Sequence, residues 1–403
     1  MTERLYYHDS YLTEFRARIV DVSPDHKKVY LDRTAFYPAS GGQPSDTGQL
    51  TDTGQLGGAG VTDVVDEDGR IAHLLSKPVS GDEIAGVIDW QRRFDHMQQH
   101  SGQHLLSAVL IELFNSPTVS FHLGAGTSTI DIERPLEPNQ LLQAERRANQ
   151  IVFENRPVLV SFEDSSQDLG LRKPTEREGA VRIVTIQDLD RSACGGTHVR
   201  STAEIGPILI RKLDRIRGNQ RLEFVCGMRA VERAQADYTA LAAIARGFSC
   251  ALDETPAMVT AHQEKLQESE KARRRMANEL AVAKGRELHA ATAPALDGLR
   301  KIQRRVPTIT DELRAEAQSF TAGGKAVFLA VAEDPPSVLL AASSDSGINA
   351  GQVLKEALAE NGGRGGGSAA VAQGSLPTAE STERFLGSSV LQFFGSSVPS
   401  HDK

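Results

Sequence analysis

Three histidines lie in one short run, Phe94-Asp95-His96-Met97-Gln98-Gln99-His100-Ser101-Gly102-Gln103-His104, each four residues from the next. On a helix all three share one face, and two imidazoles one turn apart can hold a single metal ion. A second short pair, Cys194-Gly195-Gly196-Thr197-His198, repeats the spacing with a thiol and an imidazole. Its two glycines let the backbone curl around an ion. Thiolate and imidazole together suit a borderline-soft ion such as Zn2+ in tetrahedral geometry. Spacing alone does not choose two of the three histidines. The apolar run begins directly after His104, so His100 and His104 lie on the ordered part of the helix and His96 near its end; the expected ligands are His100, His104, Cys194 and His198. Ser101 stands where a His-Glu-x-x-His protease needs its glutamate. The His-x-Glu and Pro-Cys-x-x-Cys signature of nucleobase deaminases is also absent. A zinc hydrolase of another kind is left.

The pattern around these pairs predicts what must position them. Thr13 to Val22 and Lys27 to Leu31 read as strands, and Asp68-Gly69 suits a tight hairpin between Val61–Val65 and Arg70–Leu75. Residues 1–88 thus predict a small β-barrel. Leu105, Leu106, Val109, Leu110 and Leu113 recur at helical spacing after a histidine-rich turn. A second helix is expected over about 139–155, and strands at Ser128–Ile132, at Val181–Thr185 and as a pair within Ile208–Val225. Residues 89–245 form a mixed α+β domain in this reading. From Pro256 to Leu288 there is little Gly or Pro and much Glu, Lys, Arg, Gln and Ala, so 246–305 reads as a helical connector. Val259, Leu266 and Leu280 hint at a heptad, which Arg273 interrupts. In the last part, 306–403, Val327–Ala332 and Val338–Ala342 look like adjacent buried strands, and a frayed tail is expected beyond Phe394. The chain is therefore expected to be an α+β multidomain protein.

Composition bounds the function. With 403 residues, 45 Lys and Arg against 53 Asp and Glu, and a net charge of -8, contact with a polynucleotide must run through local basic patches. Arg211, Lys212, Arg215, Arg217 and Arg221 make the densest of these in the 89–245 region. Three cysteines cannot build a disulfide framework, the start lacks the apolar core of a signal peptide, and no apolar run approaches the roughly 20 residues of a membrane span. A cytoplasmic protein without a membrane partner is expected. Cys226 and Cys250 have no role that the sequence suggests.

The paired motifs, with Phe36-Tyr-Pro-Ala-Ser-Gly-Gly-Gln43 followed by Asp46 and Gly48, and with Arg217-Gly-Asn-Gln-Arg-Leu-Glu-Phe224, resemble the editing domain of alanyl-tRNA synthetase and its freestanding AlaX-type relatives. The C-terminal Gly362-Gly-Arg-Gly-Gly-Gly-Ser368 and Ala372-Gln-Gly374 resemble the DHH-associated domain, so the chain is similar to the long AlaX form. The resemblance implies hydrolysis of tRNA(Ala) mischarged with serine, or with glycine, at a Zn2+ site made by the two pairs. It also allows a homodimer through the C-terminal domain or the helical connector. Where synthetases often carry threonine before the second histidine this chain has Gln103, and Ala39-Ser40 replaces residues that are often acidic or glycine.

Gln43 and Gln103 are the candidate catalytic residues, Gln103 with Ser120 as candidates for sensing the serine hydroxyl. Gly41, Gly42, Arg217, Arg221 and Arg364 are the candidates for tRNA contact. Gly41-Gly42-Gln43 is similar to the tripeptide with which release factors hydrolyse peptidyl-tRNA, and it equally suits a tight turn. Gln43→Ala is expected to slow deacylation without loss of zinc. Four protein ligands would fill a tetrahedral site, so the favoured expectation is a zinc that positions substrate while a nearby water attacks. Two other classes compete: a phosphodiesterase, which needs an Asp-His-His motif absent here, and a non-catalytic tRNA-binding protein with structural zinc. A complete synthetase is not expected, because only a short barrel precedes the editing domain.

Overall fold

A computed structural model describes residues 1–52, 57–176, 178–216 and 218–387. Arg217 and the tail beyond Phe394 lie outside the described residues. The chain divides into two compact units, Met1–Ile244 and Ala245–Lys403.

In the first unit six strands pair in a cycle that closes on itself: Glu14–Val22, Lys28–Leu31, Arg70–Leu75, Ala59–Glu67, Gly48–Asp52 and Glu83–Ile88. The hairpin at Asp68-Gly69 follows its sequence signal, with positive φ at both residues (51° and 88°). Inward residues Val29, Leu31, Leu50, Val64, Ile71 and Ile84 are fully enclosed and make the core of this sheet.

Helix α1 (Trp90–Phe114) leaves the last of these strands. Asp89 caps it by accepting from the Arg92 amide at 3.2 Å, and Asn115 ends it in the left-handed conformation. The histidines are therefore inside the helix, not in a turn before it, and His96 sits in its second turn. Almost all of α1 from Arg93 to Leu110 is buried, polar residues included. Each polar group must then find a partner. Gln99 exchanges two hydrogen bonds with the Cys226 backbone (3.0 and 2.9 Å), and Arg93 forks onto Asp46 while donating to Ser10 and Ala35 carbonyls. That buried ion pair ties α1 to the closed sheet. At Gly102 a Cβ would lie 2.2 Å from Cys226 Sγ, so glycine lets helix and strand approach and the cysteine fills the contact.

Below α1 lie a four-stranded sheet, ordered Ile208–Ile216, Asn219–Cys226, Ser128–Ile132 and Thr118–Leu123, and a three-stranded one, Val158–Asp164, Ala180–Ile186 and Asp190–Ala193. With α2 (Pro138–Glu154) they enclose a core of Leu106, Val109, Leu110, Ile130, Ile151, Val184 and Phe224. Helix α3 (Gly227–Phe248) follows.

In the second unit one long helix, α4 (Thr255–Ala291), lies in the segment expected to be helical, and α5 (Asp311–Ala322) packs on it. A five-stranded mixed sheet, ordered Arg300–Val306, Ala326–Glu333, Pro336–Ala342, Val371–Ser375 and Arg364–Gly367, carries α6 (Ala350–Glu360) and α7 (Ala379–Leu386). The glycine-rich segment is thus an edge strand, paired residue by residue with Gln373 and its neighbours. No helix among the described residues is long and apolar enough to cross a membrane.

Candidate metal centre

The two pairs converge. Ligand atoms of His100, His104, Cys194 and His198 all lie within 4.8 Å of one another, and three of the four residues are buried. Cys194 Sγ is 3.5 Å from His100 Nε2 and 3.3 Å from His198 Nε2. His96 does not join them; it is buried elsewhere on α1, and burial lowers it to about 4.

What aims the imidazoles is a set of partners on their other nitrogens. His100 Nδ1 lies 2.8 Å from Gln43 Oε1, His198 Nδ1 3.1 Å from Ser101 Oγ, and His104 Nδ1 3.2 Å from Asp190 Oδ2. An amide oxygen and a carboxylate only accept, so the proton sits on Nδ1 of His100 and His104. Ser101 Oγ also accepts from the Val199 amide. Every Nε2 is left facing the cluster, the arrangement by which outer partners fix the tautomer of ligating histidines. Asp190 is itself held by Arg172, 2.7 Å away, and by the Ser192 hydroxyl at 2.9 Å.

The Cys194–His198 turn is shaped from beneath. Arg182 donates to the carbonyls of Cys194 (2.7 Å) and Gly196 (3.0 Å), and the Gly196 amide points at Cys194 Sγ, 3.4 Å away. A Cβ on Gly196 would fall 2.1 Å from His100 Cε1, so this glycine serves close approach. Burial alone would raise the Cys194 thiol, but the facing imidazoles lower it well below its ordinary value. Burial would lower His104, yet Asp190 and the Cys194 sulfur outweigh it and raise it to about 9. Burial, reinforced by His100, lowers His198 to about 3. A thiolate and three imidazoles, with His104 giving up its extra proton when a metal binds, is a donor set that fits Zn2+.

The cluster opens into a cavity of about 780 Å3. Gln103 lines it beside His100 and His104; its Nε2 donates to Ser107 Oγ at 2.9 Å, which also accepts from Thr118 Oγ1 at 2.7 Å. The amide is thereby oriented, and its Oε1 is buried without a partner. Gly41, Ser120 and Phe121 also line the cavity. Ser120 Oγ is engaged with Asp131 at 2.7 Å. Gly42 is packed on the Phe121 ring, 2.9 Å from where its Cβ would be.

Gln43 is not among the residues lining the cavity. Besides His100 its Oε1 accepts from the Thr197 amide (3.1 Å), and its Nε2 donates to Thr197 Oγ1 (2.8 Å). It bridges both ligand pairs, so the expectation that its loss would leave zinc binding untouched does not fit this geometry. Arg221 forks onto Asp131 at 2.7 and 2.8 Å, Arg211 pairs with Asp237 and Lys212 with Asp214, so three cations of the basic patch already face carboxylates. Arg364 is exposed at the edge of the second unit's sheet.

Sequence reading missed Asp190, Ser101, Thr197 and Arg182. Asp190 shares a short segment with Asp188, and nothing in the spacing says which one reaches His104. Ser101 sits inside the motif, but its role depends on a residue 97 positions away.

The model for the second additional domain of threonyl and alanyl tRNA synthetases matches residues 181–223, the DHHA1 domain matches 306–395, and the class II (A) tRNA synthetase model matches 11–92. The alanyl-tRNA editing protein AlaX-L of Pyrococcus horikoshii is 32% identical over 392 residues, covering 93% of this chain and 94% of that protein. AlaX-M of Methanosarcina acetivorans is 38% identical over 243 residues, 56% of this chain and 98% of its own. The alanine–tRNA ligase of Methanoregula boonei is 32% identical over 403 residues, but the chain spans only 43% of it.

Proposed function

This chain belongs to the AlaX-type alanyl-tRNA editing family, and from that premise we propose that it is a zinc-dependent, cytoplasmic aminoacyl-tRNA deacylase that removes serine from mischarged tRNA(Ala) in trans. The observation that carries the reading is the donor cluster at the base of a cavity large enough for an aminoacyl nucleoside.

Zinc held by His100, His104, Cys194 and His198 would supply the positive charge that positions the aminoacyl group while a nearby water attacks the ester. The chain's own residues do the rest. Gln43, Ser101 and Asp190 hold the histidines with their Nε2 atoms inward. Gln103 offers the fixed carbonyl oxygen that a seryl hydroxyl can donate to, and alanine has no such donor. A site whose buried polar group needs a hydroxyl can reject the analogue lacking it by roughly 10⁴-fold. Gly41 and Gly42 bring the turn of the closed sheet over the cavity, where an acceptor end would pass. Arg364, Arg217 and Arg221 are proposed to meet the tRNA backbone, Arg221 by exchanging its carboxylate for phosphate.

The decisive experiment is release of serine from Ser-tRNA(Ala) by the metal-loaded protein, with Gly- and Ala-tRNA(Ala) alongside and His100→Ala as control. Serine release with Ala-tRNA(Ala) spared is expected. Gln103→Leu should lower kcat/KM for Ser-tRNA(Ala) by about 10²-fold or more while leaving metal content intact. The closed four-donor set also suits a structural zinc in a tRNA-binding protein. Binding of tRNA without turnover would establish that second reading.

A further inference from the structure

The cavity exceeds what an amino acid needs; pockets of roughly 300–1,000 Å3 enclose whole drug-sized ligands. One part of its lining is aromatic and charged, made by Tyr7, Tyr37 and the ion-paired Arg4 and Asp66. This part begins next to the metal centre, because a Cβ on Gly195 would lie 3.3 Å from the Tyr7 hydroxyl.

Its groups are fixed before any ligand arrives. Arg4 donates through Nη1 to Tyr7 Oη at 3.2 Å and pairs through Nη2 with Asp66 at 2.6 Å. Arg182 donates from Nε to the Tyr7 carbonyl at 3.0 Å, and its guanidinium carbon lies 5.5 Å from the Tyr7 ring centre. Arg182 is 3% exposed, and its Nη2 is buried without a hydrogen-bond partner. Tyr37 is anchored by donating to the Ser40 carbonyl at 3.0 Å. Rigid aromatic and guanidinium planes are what unstacked nucleobases lie against, and a carboxylate beside them can accept from ribose hydroxyls or an exocyclic amine.

We infer that Tyr7 and Arg4 form the platform for the terminal nucleoside of the acceptor strand, with Asp66 at its polar edge, so that the 3′-ester delivers its amino acid to the donor cluster. This rests on the deacylase reading and adds to it the seat of the base. The other lining segments, Pro117–Phe121 and Lys173–Thr175, are the competing seat.

Two measurements decide it. Photolabelling of the full, metal-loaded chain with 8-azidoadenosine 5′-monophosphate should mark peptides containing Arg4–Tyr7 or Tyr37–Gly41, and unlabelled AMP should compete. Label on Pro117–Phe121 or Lys173–Thr175, or no label that AMP displaces, overturns the inference. In steady-state deacylation of Ser-tRNA(Ala), Tyr7→Ala should raise KM about 10-fold with kcat within about twofold, the scale of one base stacked on an aromatic ring. Tyr7→Phe keeps the ring and should restore KM. A KM within twofold of the parent for Tyr7→Ala overturns the inference as well. If the parent protein releases no serine, the deacylase reading fails, and the photolabel still judges the platform by itself.

Discussion

Replacing Gln43 by alanine separates a residue that acts on substrate from one that acts through the metal ligands. The substitution removes three hydrogen bonds: from His100 Nδ1 at 2.8 Å, from the Thr197 amide at 3.1 Å and to Thr197 Oγ1 at 2.8 Å. It leaves two donors stranded where Gln43 is 1% exposed and Thr197 fully buried. Each unsatisfied buried group costs about 1–3 kcal/mol, so a loss of about 2–5 kcal/mol is expected once some water enters the space. His100 is freed to turn, and loss of an outer partner typically weakens metal affinity about 10- to 100-fold. Competition for Zn2+ against a chromophoric chelator reads the affinity, and urea unfolding of the metal-free protein reads the stability. Gln43→Glu keeps an acceptor for His100 and Thr197 and should recover most of the affinity. Zinc affinity within twofold of the parent in Gln43→Ala, with deacylation abolished, would refute the positioning role and return Gln43 to the substrate.

Two further outcomes follow from the same contacts. Gly196→Ala places a Cβ 2.1 Å from His100 Cε1 and 2.4 Å from Nδ1, so the ring must move and zinc affinity should fall at least 10-fold; an unaltered titration would show that the turn yields instead. His73, enclosed in the closed sheet with Thr34 2.8 Å away, is lowered by burial from 6.5 to about 4. Its folded pKa is depressed, so its contribution is fully present above pH 6.5 and is lost as pH falls through 4. At 1.36 kcal/mol per unit that amounts to about 3 kcal/mol. An NMR titration placing the His73 ring near 6.5 would contradict this, as would unfolding that shows no dependence on pH between 6.5 and 4.

The sequence by itself picked out the two donor pairs that the fold brings together, because i to i+4 spacing is a local property of a helix and of a short glycine-bearing turn. It also placed a number of elements within about three residues: Ser128–Ile132 as a strand, the Asp68-Gly69 hairpin and the long helix around Pro256–Leu288, each written in local pattern. The glycine-rich Arg364–Gly367 was not legible as a strand, since glycine carries no strand propensity and only pairing with Val371–Ser375 makes it one. The same limit governs the centre. Gln43, Asp190 and Ser101 meet His100, His104 and His198 across 57, 86 and 97 positions of chain, and no spacing rule reaches that far. Arg221 and Arg211 read as part of a basic patch in the sequence, but in the fold they face Asp131 and Asp237. Which residues carry donor atoms was fixed by type and local period; which way those atoms point, and which charges remain unspent, was decided only when burial forced each polar group to find a partner.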